Sequence, residues 1–419
     1  MSKAYDRVHL PLLEKALHRI HMNKNIIKII MSILQGRINQ VITDLGKTEP
    51  YIVEDGLDQG STISPLLWRI YYDLLIKRVQ ESNMGYTMTI STKTNIIDKC
   101  VTTSVIAYMD DTTWVSPSRS NLENILKIAS SFYDLAQIKV NPSKSALLHN
   151  NIDDHNSILF QSEQIHNIGK KDTIKFLGTY LDNHRNNKFV KQKILKEVLQ
   201  DIAKLRYSRI TEKQTIYVIN TVILARLRYK LSNISLSKAT CNNITNKYIG
   251  IVKLKANMAK RTPNDTFLNN DLYGLNDTHQ IQQKHHIYIL ETLMNSYIEL
   301  MSWKIRLQQL QDDALSNQSI LKVHPIFSNK CAHFFTARLI LNSHELKISF
   351  WRGANEWPTP MKFPGISVNE WLKHKKFNLR LKYAFNKHNI FAIEQLLNHN
   401  NSKLAEWSQV HHNTARIQS

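Results

Sequence analysis

The sequence predicts an α+β chain, on three observations. Short alternating apolar stretches that suit strands are confined to the first 182 or so residues. Apolar positions at helical spacing recur along the whole length. Residues 183 to 264 then hold 18 Lys/Arg against 3 Asp/Glu in a pattern that is almost entirely helical. A chain of 419 residues exceeds what one compact core usually organises, so two or three domains are expected. The pattern divides it at 1–182, 183–265 and 266–419.

Taken in order, "LPLLEKALHRI" (10–20) and "NIIKIIMSILQGR" (25–37) carry helical spacing, the first with Pro11 in its opening turn. "INQVITDLGKTEPYIVEDG" alternates around the polar centre "GKTEP", which predicts a hairpin. "GLDQGSTISPLLWRIYYDLLIKRVQ" (56–80) reads as a glycine-bearing loop that opens a long helix, with Ser64 placed to cap it and Pro65 in its first turn. Strands are expected at "YTMTIST" (86–92) and on either side of the aspartates in "VTTSVIAYMDDTTWVS" (101–116). A helix should follow at "LENILKIASSFYDLAQI" (122–138). Next come the turn of "KVNPSKSALLHN" leading into a strand, and one short strand, "IKFLGTYLD" (174–182), around Gly178. "TEKQTIYVINTVILARLRYKL" (211–231), with an apolar face, and "IQQKHHIYILETLMNSYIELMSWKIRLQQLQ" (281–311) are helical in period.

Composition bounds the partners. With 55 Lys+Arg and 34 Asp+Glu the formal net charge is +21, which favours a polyanion, with nucleic acid ahead of an anionic membrane. No apolar run reaches the roughly 18 residues of a spanning helix, and the opening "MSKAYDRVHL" is charged where a signal peptide is apolar. Cys100, Cys241 and Cys331 are far apart in sequence, so neither a disulfide framework, a disulfide-linked partner nor a zinc knuckle is expected.

An Asp-Asp pair by itself is more often a solvated turn than a metal site. Its neighbours change that reading. "SKAYDRV", "GLDQGSTISPLLW", "YMDD", "NPSK" and "FLGTYLD" occur in that order across the first 182 residues. In wording, order and separation they resemble the reverse transcriptase of non-LTR (LINE-like) retrotransposons.

The resemblance implies a right-hand polymerase palm, an antiparallel sheet with helices on one face, then an α-helical thumb and a mostly helical C-terminal region. It implies RNA-directed DNA synthesis with two Mg2+ ions, for which Mn2+ can substitute, held by hard oxygen ligands. Asp110 and Asp111 take the ligand positions, and Tyr108 lies beside the primer terminus. Gln59 and Gly60 match the loop that meets the incoming nucleotide and the template base. Lys144 matches a lysine proposed to protonate the departing pyrophosphate. Phe176, Leu177 and Gly178 match the primer grip, and Arg226, Arg228 and Lys230 fall on the thumb helix as phosphate contacts. The implied partners are an RNA template, a DNA primer, their hybrid and deoxynucleoside triphosphates, inside the cell and preferentially in the nucleus.

Three departures stand beside the match. Asp58 occupies a position where a basic residue or proline is common, and Ser61 one where an aspartate is common. The family's first motif has a metal-binding aspartate five residues before an aromatic steric gate. Here the gate is Tyr5, and five places back is position 0. Asp6 follows the gate, and a one-residue shift on an extended strand reverses side-chain facing. The expectation is therefore a chain that begins inside the first motif, with incomplete fingers and impaired catalysis.

The tail says less. Trp351, Trp357, Trp371 and Trp407 suit a core better than base stacking, and His285-His286 and His411-His412 lack partner ligands at metal spacing. Two other readings compete with a polymerase: a nucleic-acid-binding remnant without catalysis, and a group II intron maturase-like RNA-binding protein.

Overall fold

A computed structural model describes residues 4–44, 46–89, 100–149, 157–169, 172–183, 187–295, 300–329, 331–350, 365–373, 379–388, 390–398, 403–406 and 410. Trp351, Trp357, Trp407 and His411-His412 lie outside the described residues. The chain divides into two compact units, Met1–Thr87 with Val101–Gly169 and Met88–Cys100 with Lys170–Ser419.

The first unit opens with a 3-10 turn, Tyr5–Arg7, where an extended strand was expected. Helices α1 (Leu10–Arg19) and α2 (Lys24–Leu34) follow, α2 begun by the Asn23 side chain, which accepts from the Asn25 N–H at 2.9 Å. Strand β1 (Arg37–Asn39) pairs with β4 (Tyr51–Val53), and β2 (Ile42–Thr43) with β3 (Gly46–Lys47). The chain therefore reverses between Thr43 and Gly46, ahead of the expected "GKTEP" centre, because Gly46 supplies the positive φ (+119°) that closes the turn.

Helix α3 (Ser64–Glu81) carries its buried residues at helical spacing: Leu67, Trp68, Tyr71, Tyr72, Leu75 and Val79. Ser64 is not the cap the sequence suggested. It lies buried inside the first turn, and Ile63 before it offers no side-chain hydrogen bond. Strands β5 (Tyr86–Thr89), β6 (Cys100–Thr103), β7 (Val105–Tyr108) and β8 (Asp111–Trp114) lead to α4 (Arg119–Leu135), capped by Ser118. A 3-10 turn at Pro142–Lys144 and the pair β9 (Ile158–Phe160) and β10 (Glu163–Ile165) complete the unit. One apolar core joins the inner faces of α1, α3 and α4 to Val105, Ile158 and Phe160; burying each such side chain contributes about 1.5–3 kcal/mol.

The second unit begins with strands β11 (Ile174–Phe176) and β12 (Thr179–Leu181). They form a hairpin where the sequence suggested a single strand. Helix α5 (Lys188–Tyr207) buries Val190, Ile194, Val198, Ile202 and Leu205. The segment at 211–231 is not one regular helix: α6 (Glu212–Val218), begun by a Thr211–Gln214 capping box, passes through a π turn (Ile219–Ile223) into α7 (Leu224–Lys230). These pack with α8 (Lys238–Lys255) and α9 (Asp265–Leu268) around one core. The pattern at 281–311 likewise divides, into α10 (Thr278–Asn295) and α11 (Leu300–Ala314), which share a second core with α12 (Phe335–Glu345). A third gathers around α13 (Val368–Lys373) and α14 (Leu379–Lys387) and includes Trp371 at its edge, in keeping with a core rather than a base-stacking tryptophan.

The described strands pair two by two, and the architecture is α+β. Among the described residues no helix is long and apolar enough to cross a membrane.

Candidate active site

Strands β7 and β8 pair antiparallel from Val105 opposite Trp114 to Tyr108 opposite Asp111, which leaves Met109 and Asp110 as a two-residue turn. Met109 takes a positive φ of +54°, at the position where a II′ turn prefers glycine. A bulky side chain there costs on the order of 1 kcal/mol or more, so surrounding structure must impose the shape. Trp68 does so: its indole Nε1–H donates to the Met109 carbonyl at 2.9 Å. The Tyr5 hydroxyl meets the Met109 sulfur at 3.5 Å, and the rings of Tyr5 and Trp68 lie 5.6 Å apart.

Behind the turn, Trp68 stacks on Tyr72 with centroids 5.3 Å apart. The Tyr72 hydroxyl bridges the Thr112 hydroxyl at 3.0 Å and the Tyr133 hydroxyl at 2.7 Å. The hairpin is thus fastened to α3 at its carbonyl tip and again along β8. Tyr72→Phe should lower stability by about 1–3 kcal/mol, since the buried Tyr133 hydroxyl and the half-buried Thr112 hydroxyl lose a shared partner. A shift of the urea midpoint measures this, and an unshifted midpoint would mean that the bridge contributes nothing.

The two aspartates sit differently. Asp110 is half-buried, and its charge joins burial in raising the Tyr5 hydroxyl above its ordinary value. Tyr72 is pushed up to about 12, chiefly by burial, with Asp110 again among the causes. Asp111 is exposed. Because Thr112 turns toward Tyr72, strand alternation turns Asp111 to the other face of β8. Among the described residues no group of three or more His, Cys, Asp and Glu side chains is arranged to hold a metal ion. Asp6 is exposed on the 3-10 turn, and its backbone lies so close to Gly56 that a Cβ there would come within 2.9 Å of the Asp6 carbonyl oxygen.

Beside the hairpin, the Leu57 and Gly56 N–H groups donate to the Tyr5 and Val8 carbonyls, both at 2.9 Å. This fixes the start of the loop that carries Gln59 and Gly60. Both are exposed, and Gly60 needs to be glycine for its φ of +97°. Asp58 is taken up by an ion pair with Arg37 at 2.5 Å, while Arg37 also donates to the Gly56 carbonyl at 2.7 Å. Tyr108 is exposed at the end of β7, and Lys144 is exposed at the end of its 3-10 turn.

In the second unit, Phe176 ends β11, and Leu177 and Gly178 form the turn into β12. Of the three thumb cations, Lys230 pairs with Glu197, itself bonded by the Tyr180 hydroxyl at 2.7 Å. Arg226 approaches Asp201 at 3.8 Å from an exposed position, and Arg228 is exposed. Sequence reasoning placed Trp68 and Tyr72 on a helix but gave them no part in the site. The signal was there in the aromatic triplet 68, 71 and 72, which helical geometry brings to one face of α3.

Residues 1–181 match the family model described as reverse transcriptase (RNA-dependent DNA polymerase). The chain is 21% identical over 240 residues to the retrovirus-related Pol polyprotein from type-1 retrotransposable element R2 of Popillia japonica. That match covers 56% of this chain and 38% of the Popillia protein, so the chain spans well under half the length of that relative.

Proposed function

We propose that this chain, whose residues 1–181 match the family model described as reverse transcriptase (RNA-dependent DNA polymerase), extends a DNA primer on an RNA template through the Met109–Asp110 hairpin. The observation that carries the reading is Asp110 held at a two-residue turn beside Tyr5 by the Trp68 indole. In the reaction the primer 3′ oxygen forms a bond to the α-phosphorus of a deoxynucleoside triphosphate, the bond to the β-phosphate bridging oxygen breaks, and pyrophosphate leaves. Asp110 and Asp111 are hard oxygen donors of the kind Mg2+ selects, and they would hold it. Bound there, Mg2+ would supply charge neutralisation and a more acidic 3′ hydroxyl.

The chain's own groups do the rest. Tyr5 flanks Asp110 and would meet the sugar of the incoming nucleotide as a gate against a 2′ hydroxyl. Gln59 and Gly60, exposed on a loop tethered to the Tyr5 backbone, would meet the nucleotide and its template base. Tyr108 would lie beside the primer terminus. Lys144 would donate a proton to the leaving pyrophosphate, and Phe176 to Gly178 would contact the primer backbone. Arg226 and Arg228 would meet phosphates. Lys230, already paired with Glu197, has more of a structural part than a phosphate-binding one.

The second reading is nucleic-acid binding without catalysis, and one observation favours it. No third acidic side chain joins Asp110 and Asp111 among the described residues. On this ground primer extension by residues 1–419 is expected to be slow. Appending a segment that supplies an aspartate five residues before Tyr5 should raise the rate by on the order of 10²-fold, because one more carboxylate neutralises and orients the dications. A gel-based extension assay with an RNA template compares the two polypeptides. No gain from the added aspartate, with robust extension that Asp6→Asn removes, would transfer the third ligand's part to Asp6.

A further inference from the structure

We propose that the Tyr229 hydroxyl is a positioning group that holds the β11–β12 turn in the one shape able to meet a primer backbone. The primer part of this rests on the reading of that hairpin given above. Leu177 and Gly178 both take positive φ, +45° and +78°, which together make a I′ turn. Glycine suits the second position. Leucine does not suit the first, where asparagine, aspartate or glycine is preferred, so the turn needs an external hold.

Tyr229 provides it from α7. Its hydroxyl donates to the Leu177 carbonyl. Its ring lies against Gly178 so closely that a Cβ there would come within 3.0 Å of the ring carbon Cε1. The base of the hairpin is fastened separately. The Tyr180 hydroxyl donates to Glu197, which also binds Lys230, and the Lys193 ammonium stands 4.4 Å over the Tyr180 ring while donating to Thr173 at 3.2 Å. The base can therefore stay docked whether or not the tip keeps its shape.

The aim of Tyr229 is itself built. The π turn at Ile219–Ile223 inserts one residue into the helix and rotates everything beyond it by about 100°. Asn220 anchors that turn, donating to the Gly274 carbonyl at 2.9 Å and accepting from the Asn276 N–H at 3.1 Å. Tyr229 is 53% exposed, so its ring is not there to fill a core. The arrangement parallels the first unit, where another bulky residue at positive φ, Met109, has its carbonyl held by an aromatic donor, Trp68.

The test uses the full chain and Tyr229→Phe, which keeps the ring and removes only the hydroxyl. Hydrogen exchange over residues 176–181 should quicken about fivefold, the equilibrium weight of one hydrogen bond. Binding is compared between an RNA/DNA hybrid with a recessed DNA 3′ end and a blunt hybrid of equal length. The preference for the recessed end should fall about fivefold, with blunt-end affinity within about twofold of wild type. Adding Leu177→Asn, which tolerates the left-handed conformation, should restore the slow exchange of residues 176–181 without the hydroxyl. Unchanged exchange in Tyr229→Phe would overturn the clamp. Equal weakening on both hybrids would overturn the positioning part and make the hydroxyl an ordinary phosphate contact. A wild-type chain that binds both hybrids alike would sink the primer reading, while the exchange result would still decide whether Tyr229 holds the turn.

Discussion

Asp110→Asn is expected to lower Mg2+-dependent primer extension by on the order of 10³-fold, and Asp111→Asn by nearer 10-fold. The asymmetry comes from the hairpin. Asp110 is the turn residue whose charge reaches both Tyr5 and Tyr72, on the side where the Trp68 indole and the Tyr5 ring meet the turn. Asp111 begins β8, exposed and turned away from Thr112 and the core. A carboxylate flanked by aromatic side chains acts through a lower effective dielectric than one facing water, so the loss of its charge weighs more. Asparagine fits the same turn position, which leaves the fold as it was. The measurement is single-turnover extension, with the polypeptide carrying the added upstream aspartate as reference so that a slow starting rate does not hide the fall. Equal losses would remove the asymmetry, and an unaffected Asp110→Asn would remove the metal-binding reading altogether.

What was legible in the sequence was whatever depends on local periodicity. The stripe from Leu67 to Val79 gives α3, and the paired alternation on either side of Met109-Asp110 gives the hairpin, because each pattern is its own evidence for one buried face. Shapes imposed from a distance were not legible. "FLGTYLD" reads as one strand because nothing in leucine announces a positive φ; the group that meets its carbonyl there, the Tyr229 hydroxyl, lies 52 residues on. Ser64 has the composition of a cap and the position of a core residue, since the cap signal is local and burial is not. The π turn inside 211–231 leaves no mark in the apolar spacing, because isoleucine, leucine and valine satisfy either register. In the site itself the order of motifs carried the reading, while the parts that fasten the hairpin emerged only from packing.

The charge pattern was also legible, but its meaning changes once partners are visible. Were all the cations of residues 183–264 free for phosphate, hybrid binding would show a very steep salt slope. Lys253 is instead buried, donating to the Thr262 carbonyl at 2.6 Å and the Asn264 side chain at 2.8 Å, and Lys255 donates to the Ser208 carbonyl at 2.6 Å. Lys204 and Arg226 share Asp201, and Lys230 is held by Glu197. The cations that remain exposed include Arg206, Arg209 and Lys213, around the corner from α5 into α6. With about four or five phosphates neutralised, log affinity should fall with log salt at a slope near −4. RNA/DNA hybrid binding by the full chain should then weaken by about 10²–10³-fold between 50 and 200 mM salt. Replacing Arg206, Arg209 and Lys213 together by Gln should flatten that slope by about 2.7, the release of three counterions. Lys253→Gln should leave the slope alone and lower the thermal midpoint, since its carbonyl partners lose their donor. Fluorescence anisotropy at several salt concentrations reads both. A slope unmoved by the triple substitution would place the nucleic acid on some other face, and a slope that Lys253→Gln flattens equally would mean that the buried lysine turns outward to bind.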